Sequence, residues 1–328
     1  MNAQGYLEAL NIHLSQLFAF ARQMNELDFA ASLSGEFRGA QDAGWTTTIT
    51  ANEVFGEILP LLELTRPLSK AEFRVVLMLY CQLAEAGGVY ETLKNMMGVI
   101  TLKPYLLWPF KDLVKVRPTS RRVIGPNANV TFRDLATAAR DIGLARLSEL
   151  FELAFRDDIR NGISHADYII WIDGLRLRKR NGGYADRITF EEVANTVLRG
   201  LHFFEVLRQH SDISVRSFHP PKTIVGRFSA NPPMPWTVSF DPDKGTFGIG
   251  RLLLRQHDQA PRLGGLLQFQ RFRLFPQIRT ILGRLRSAYG RPTASLSARP
   301  ALSLRAAAYC RRGSGFSMRQ PVSKVMPR

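Results

Sequence analysis

The chain is poor in cysteine: of its 328 residues only Cys81 and Cys310 carry a thiol, far apart and in no metal-ligand spacing. That argues against a disulfide-stapled scaffold and a cysteine-built zinc site, and a reducing cytoplasm is the expected compartment. Cys81 stands in an apolar helical run, where a buried free thiol is the expectation. Long apolar runs are also missing. The longest candidate, VVLMLYCQLA at 75–84, suits a buried helix and falls short of the roughly 18 residues a membrane span needs. The first residues, MNAQGYLEALNIHL, carry neither the basic segment nor the compact apolar core of a signal peptide. No membrane association is expected from these features.

Acid is nearly absent from one end. The net charge of +16 is unevenly held: residues 1–250 carry 28 Lys and Arg against 27 Asp and Glu, a net of +1. Residues 251–328 carry 16 against the single acid Asp258, a net of +15, with 15 of the cations arginine. Basicity therefore describes the tail and not the body. The tail reads as a disordered basic low-complexity segment, as a nucleic-acid-binding arm, or as the product of an out-of-frame terminus. Leu252–Leu254, Leu266-Leu267 and ILGRLR leave short helices open there.

A hydrophobic content of 45% suffices for one full core and a smaller second unit. The first half reads as helices. Leu7, Leu10, Leu14, Leu17 and Phe18 recur every three or four residues, one stripe on a helix over 4–25. Ser69 followed by Glu72 is a capping box opening FRVVLMLYCQLAEA, which Gly87-Gly88 closes. Pro104, Pro109, Pro118 and Pro126 break up 101–130, and Thr131-Phe132-Arg133-Asp134 starts another helix. A helix is predicted over 144–160, with Leu144, Leu147, Phe151, Ala154 and Phe155 inward and Glu149, Glu152, Arg156 and Arg160 as a polar stripe. Asn161-Gly162 is its expected stop. Then YIIWI, Asp173-Gly174 and LRLRKR read as a hairpin with a primed turn. Thr189 with Glu192 caps a helix over 190–209 whose apolar face is Val193, Val197, Leu201, Phe204 and Val206/Leu207. After Ser211, HPPK and NPPMPW suggest extended chain, and TVSFDPDKGTFGI a further hairpin. The expected domains are a helical unit over 1–210, a small β-containing segment over 211–250 and the tail.

The chemistry candidates cluster in 156-RDDIRNGISHADYII-170. Arginine is a permanent forked donor matched to phosphate oxygens, and histidine moves a proton near neutral pH. Beside RNA, whose 2′-hydroxyl is a built-in nucleophile, such a pair needs no metal. Residues five apart on one helix point about 140° from each other, so Arg160 and His165 meet only if the chain folds back at Asn161-Gly162. The competing reading is an ordinary helix end: Arg160 paired with Asp157 or Arg156 with Glu152, and His165 satisfied by Asp167. Gly162-Ile163-Ser164-His165-Ala166 approaches a nucleophile elbow, but that motif runs from strand to helix and the order here is reversed. Asp243-Lys244-Gly245 lacks the Gly-Lys-Ser/Thr of a phosphate loop and reads as a hairpin turn. His13, His202 and His210 stand alone on helices and carry no chemistry in this reading.

Arg160-Asn161-Gly162-Ile163-Ser164-His165 resembles the signature of the HEPN superfamily, an arginine and a polar residue followed after a short spacer by histidine. The resemblance covers about 130–210 and implies a mainly α, HEPN-like helical bundle, here with an inserted β-hairpin after His165. It implies a metal-independent endoribonuclease, of the kind found in toxin–antitoxin and phage-defence systems, acting as a homodimer that pairs two copies of the motif. Arg160 would then hold the phosphate, His165 move the proton, and Asn161 orient or help bind. No cofactor and no metal are expected; RNA, and possible antitoxin or defence partners, are. Non-catalytic HEPN-like modules exist, so a binding module for nucleotide, RNA or a partner protein is the alternative. In LRLRKR, alternation lines up Arg176, Arg178 and Arg180 on one face. That face is a solvated sheet surface or, on the nuclease reading, the track for the RNA backbone, with Trp171, Tyr168 and Tyr184 near enough to stack on bases.

Overall fold

The computed structural model describes residues 1–35, 47–179, 182–227, 232–251 and 267–268. They form a mainly helical protein with small antiparallel sheets. The amphipathic stripe read at the start becomes α1 (Ala3–Met24), with Leu10, Leu14 and Leu17 buried, and Asn25 caps the short α2 (Glu26–Leu33). Next come α3 (Thr47–Leu62), α4 (Lys70–Ala84) and α5 (Gly87–Ile100). The capping box at Ser69 and Glu72 is formed in full. A loop follows, holding the short strands β1 (Lys115–Val116) and β2 (Val123–Ile124). Beyond it α6 (Ala128–Asp141) starts at an Asn127 cap, four residues before the expected Thr131.

The helix expected over 144–160 is two helices, α7 (Ala145–Ala154) and α8 (Asp157–Ser164), separated by extended backbone at Phe155 and Arg156. The break lets the Phe155 ring reach a cluster of Tyr80, Tyr90, Phe132 and Phe203, with centroids 4.9–6.5 Å away. There the Arg156 N–H donates to Tyr80 Oη at 3.0 Å. Asp157 and Asp158 then give α8 an acidic first turn that suits the positive end of its dipole.

The hairpin after α8 is present as β3 (Tyr168–Trp171) and β4 (Gly174–Leu177), joined to β5 (Asp186–Ile188) in the order β3-β4-β5. Its turn differs from the expectation. Trp171 pairs with Gly174, so Ile172-Asp173 form the loop, and neither has the positive φ of a primed turn. Gly174, at φ 144°, lies in the strand; a side chain there would sit 2.2 Å from the Ile188 carbonyl oxygen. The glycine serves a close backbone approach, not the turn.

Thr189 and Glu192 cap α9 (Phe190–Arg216), which runs past the boundary expected at 210. Beyond it β6 (Lys222–Gly226), β7 (Met234–Asp241), β8 (Thr246–Arg251) and β9 (Leu267–Gln268) form an antiparallel sheet in chain order. Val238, Phe240 and Phe247 of this sheet lie in the same core as α1, α2, α5, α6 and α7, so residues 211–250 are no separate unit. A second core joins α3, α4, α8 and β3–β5. The spine between them is α9: Val193, Val197, Leu201 and Phe204 face the second core, and Phe203, Val206, Leu207 and Val215 the first. Each fully buried side chain of this kind contributes roughly 1.5–3 kcal/mol, so α9 is the element both halves depend on. Arg180 and the tail from 252, strand β9 apart, lie outside the described residues.

Candidate functional site around helix α8

The Asn161-Gly162 pair does not end a helix: α8 continues to Ser164, and His165 is its C-cap. The stop is one turn later. The Asp167 N–H donates to the Gly162 carbonyl at 2.8 Å and the Ala166 N–H to Ile163 at 3.2 Å, with Ala166 at φ 56°. This is a Schellman closure with alanine in the left-handed position. Gly162 has a different use, since a Cβ there would lie 2.7 Å from Leu177 Cδ2. Its bare backbone is what allows α8 to lie against β4. Because the helix is unbroken between Arg160 and His165, helical geometry sends the two side chains about 140° apart. Within one chain they do not converge.

Arg160 is half-buried, its side chain 20% exposed, and salt-bridged through Nη2 to Glu85 Oε1. Its Nη1 donates to Asn161 Oδ1 at 2.8 Å, while Nε is buried with no hydrogen-bond partner among the described residues. Glu85 was not foreseen as a site residue. It caps the C-terminus of α4, and its Oε2 accepts the Ala128 N–H at 3.3 Å, at the start of α6. One carboxylate thus ties Arg160 to the positive end of a helix. The pairings expected for an ordinary helix end are not the ones formed. Arg156 Nε donates to Asp158 Oδ1 at 3.0 Å, Glu152 accepts from Arg140 at 2.9 Å, and Asp157 accepts from Asn129 at 3.2 Å. Asp167 receives Arg178, at 3.7 Å. His165 and Asn161 are exposed, and the His165 ring makes no hydrogen bond among the described residues.

Beside Arg160 opens a cleft of about 260 Å³ between α6, α7 and α8. Phe132 and Phe155 line it together with Arg133, Arg156, Glu152 and Asn129. Arg133 is exposed and without an ion pair among the described residues, so it is the cation most available to an incoming anion.

The expected RNA track is charge-compensated where it is described. Arg176 Nη2 lies 3.1 Å from Asp173 Oδ2 and its guanidinium 5.8 Å from the Trp171 ring, and Arg187 shares the same carboxylate at 3.4 Å. Arg178 is the freer of the two expected cations, 78% exposed. Trp171 and Tyr184 are exposed and Tyr168 half-buried.

The groups set aside earlier are structural. Cys81 is buried, which pushes its thiol up to about 12. His210 contacts Asn11 at 3.0 Å and the Phe18 ring at 5.5 Å. His202 is buried, and its Nδ1 has no partner among the described residues. Those residues hold no group of three or more His, Cys, Asp or Glu placed to ligate a metal, and no helix long and apolar enough to cross a membrane. No family model, no curated protein and no solved structure matches this chain.

Proposed function

We propose that the chain is a HEPN-type, metal-independent endoribonuclease whose α8 motif works in pairs, one helix from each of two copies. The observation that carries this reading is the exposed His165 ring, without a hydrogen bond among the described residues, at the end of the helix whose preceding turn holds Arg160. Since the two side chains diverge within one chain, a complete site draws Arg160 and His165 from facing helices, with Asn161 beside them. His165 takes the 2′-hydroxyl proton as that oxygen attacks the phosphorus, Arg160 neutralises the phosphate, and the P–O5′ bond breaks with the 5′-oxygen taking a proton from solvent, so that a 2′,3′-cyclic phosphate and a 5′-hydroxyl are left. The membership of the family, the homodimer, and a place in toxin–antitoxin or phage-defence systems belong to this proposal.

A second reading is favoured by the Glu85 contact. With its guanidinium already met by a carboxylate, Arg160 suits a non-catalytic module that binds a nucleotide, RNA or a partner protein at the adjoining cleft. The two are separated by incubating the full chain with RNA in EDTA, beside His165→Ala and Arg160→Lys. The nuclease reading expects cyclic-phosphate ends from the parent and loss in both variants. RNA retained without cleavage by all three would leave the binding module standing instead.

A further inference from the structure

The loop between α5 and α6 is unlike the rest of the surface. Residues 101–125 hold six cations against the single acid Asp112, a net of +5, where residues 1–250 together hold only +1. Lys103, Lys111, Lys115, Arg117, Arg121 and Arg122 are all exposed, and none forms an ion pair among the described residues. Elsewhere on this protein arginines and lysines are repeatedly matched with carboxylates, from Arg22–Glu26 to Lys244–Asp241.

The same loop exposes large apolar side chains. Leu102 is 73% exposed, Trp108 57% and Val123 65%, with Leu106, Leu107 and Val116 alongside. Val116 and Val123 are a cross-strand pair in the β1–β2 ribbon, and the turn beyond it carries Arg117, Arg121 and Arg122. The loop is held in place from below. Asn95 donates its side-chain amide to the Leu106 carbonyl and accepts the Leu106 N–H, both at 3.0 Å, while Phe110 is buried in the main core. Its apolar side chains therefore face water because the fold presents them there.

We infer that this loop docks the protein onto an anionic lipid surface, with Leu106, Leu107 and Trp108 entering the acyl boundary and the cations lying at the phosphates. Lying on a bilayer is a different physical state from spanning one. Aliphatic side chains gain from leaving water for hydrocarbon, tryptophan suits the headgroup level, and long cationic stems keep their charges at the interface. Each cation near a charged leaflet strengthens binding about five-fold. Single-stranded RNA fits the chemistry less well. It asks for stacking rings, and this loop exposes one, Trp108, since Phe110 is buried and Tyr105 half-buried. The inference stands independently of the nuclease reading.

The experiment is vesicle flotation of the full chain at physiological salt. It uses phosphatidylcholine alone or with about a third phosphatidylserine, and brominated acyl chains as a depth-sensitive quencher. The tail is itself basic and can reach an anionic surface, but residues 251–328 hold none of the chain's four tryptophans. Quenching therefore reports the body. Flotation only with the anionic vesicles is expected, with tryptophan quenching that disappears in Trp108→Phe. Reversing Lys115, Arg117, Arg121 and Arg122 to glutamate should weaken binding at least about 100-fold, and Leu106→Ser with Leu107→Ser should abolish quenching, while thermal unfolding stays unchanged. Flotation without quenching, or quenching undiminished in Trp108→Phe, would assign the lipid contact to another part of the chain and overturn the inference. So would absence of flotation, whether the same substitutions instead abolish RNA binding, abolish self-association or change nothing.

Discussion

Helices α8 and α9 both carry arginine, histidine and a carboxylate partner, yet the two sets meet opposite environments. In α9 the polar groups Arg199, His202, Glu205 and Arg208 lie along the middle of a helix packed on both sides, with His202 only 1% exposed. Burial lowers the His202 imidazole to about 4, lowers the Arg199 and Arg208 guanidiniums and raises the Glu205 carboxyl. In α8, Arg160 sits at the rim and His165 in solvent. A strongly shifted ionisable group marks a candidate site only when a substrate can reach it. By that criterion the buried His202 of α9 is out of a substrate's reach, and the exposed His165 at the end of α8 is within it.

The largest expected difference between the two helices is in activity. His165→Ala should reduce RNA cleavage about 10²–10⁴-fold, the usual contribution of a positioned acid or base, and leave thermal unfolding unchanged because the exposed ring makes no hydrogen bond among the described residues. His202→Leu should do the reverse, keeping cleavage and changing stability. Equal loss of cleavage in both would erase the distinction.

The second difference is in pH. The folded His202 takes up its proton near 4, below the ordinary 6.5, so between those values the unfolded chain binds more protons. Stability therefore rises with pH across that window; the contribution is complete above about 6.5 and lost as pH falls towards 4, by about 3 kcal/mol at most. Urea unfolding at pH 7 and pH 4.5 checks it. The His202→Leu protein should show a flatter dependence. A parental slope in His202→Leu would mean that some other group carries the acid sensitivity.

A smaller effect tests how α8 is seated. At Gly162, alanine gains roughly 0.5–1 kcal/mol in helix propensity but meets Leu177 Cδ2 at 2.7 Å. Overpacking costs of about 1–3 kcal/mol outweigh that gain, so Gly162→Ala should lower the unfolding midpoint. Adding Leu177→Ala should recover part of the loss. A stabilised single variant would mean that α8 does not press on β4.

How far these elements were legible depends on the range of the forces that fix them. Both capping boxes, at Ser69 and Thr189, and the α1 stripe are local, and they appear where the sequence puts them. The break at Phe155 was missed because it is decided by rings on α4, α5, α6 and α9, far away in the chain. In retrospect Asp157-Asp158 was the local signal of a new helix start. Gly162 was read as a helix-stop glycine and Gly174 as a turn glycine, and both instead accommodate a neighbouring strand. Sequence position cannot distinguish those uses, because the neighbour is set by tertiary packing. Glu85 was invisible for the same reason, standing 75 residues before Arg160 with no local motif joining them. The motif residues themselves were legible; their mutual direction was not.

The smallest prediction concerns that direction. If α8 runs to Ser164 and closes through Ala166, not at Gly162, the strained residue is Ala166, at φ 56°. The left-handed conformation costs an L-residue roughly 1–2 kcal/mol that glycine avoids, while glycine adds about 0.4–1 kcal/mol of unfolded-state entropy. Ala166→Gly should therefore stabilise by about 0.5–1 kcal/mol, read as a small rise in urea midpoint at constant slope. Because the substitution preserves the Schellman bonds that hold His165 at the helix end, cleavage should be unaffected. A destabilised Ala166→Gly would return the helix stop to Asn161-Gly162, and with it the fold-back that lets Arg160 and His165 meet within one chain.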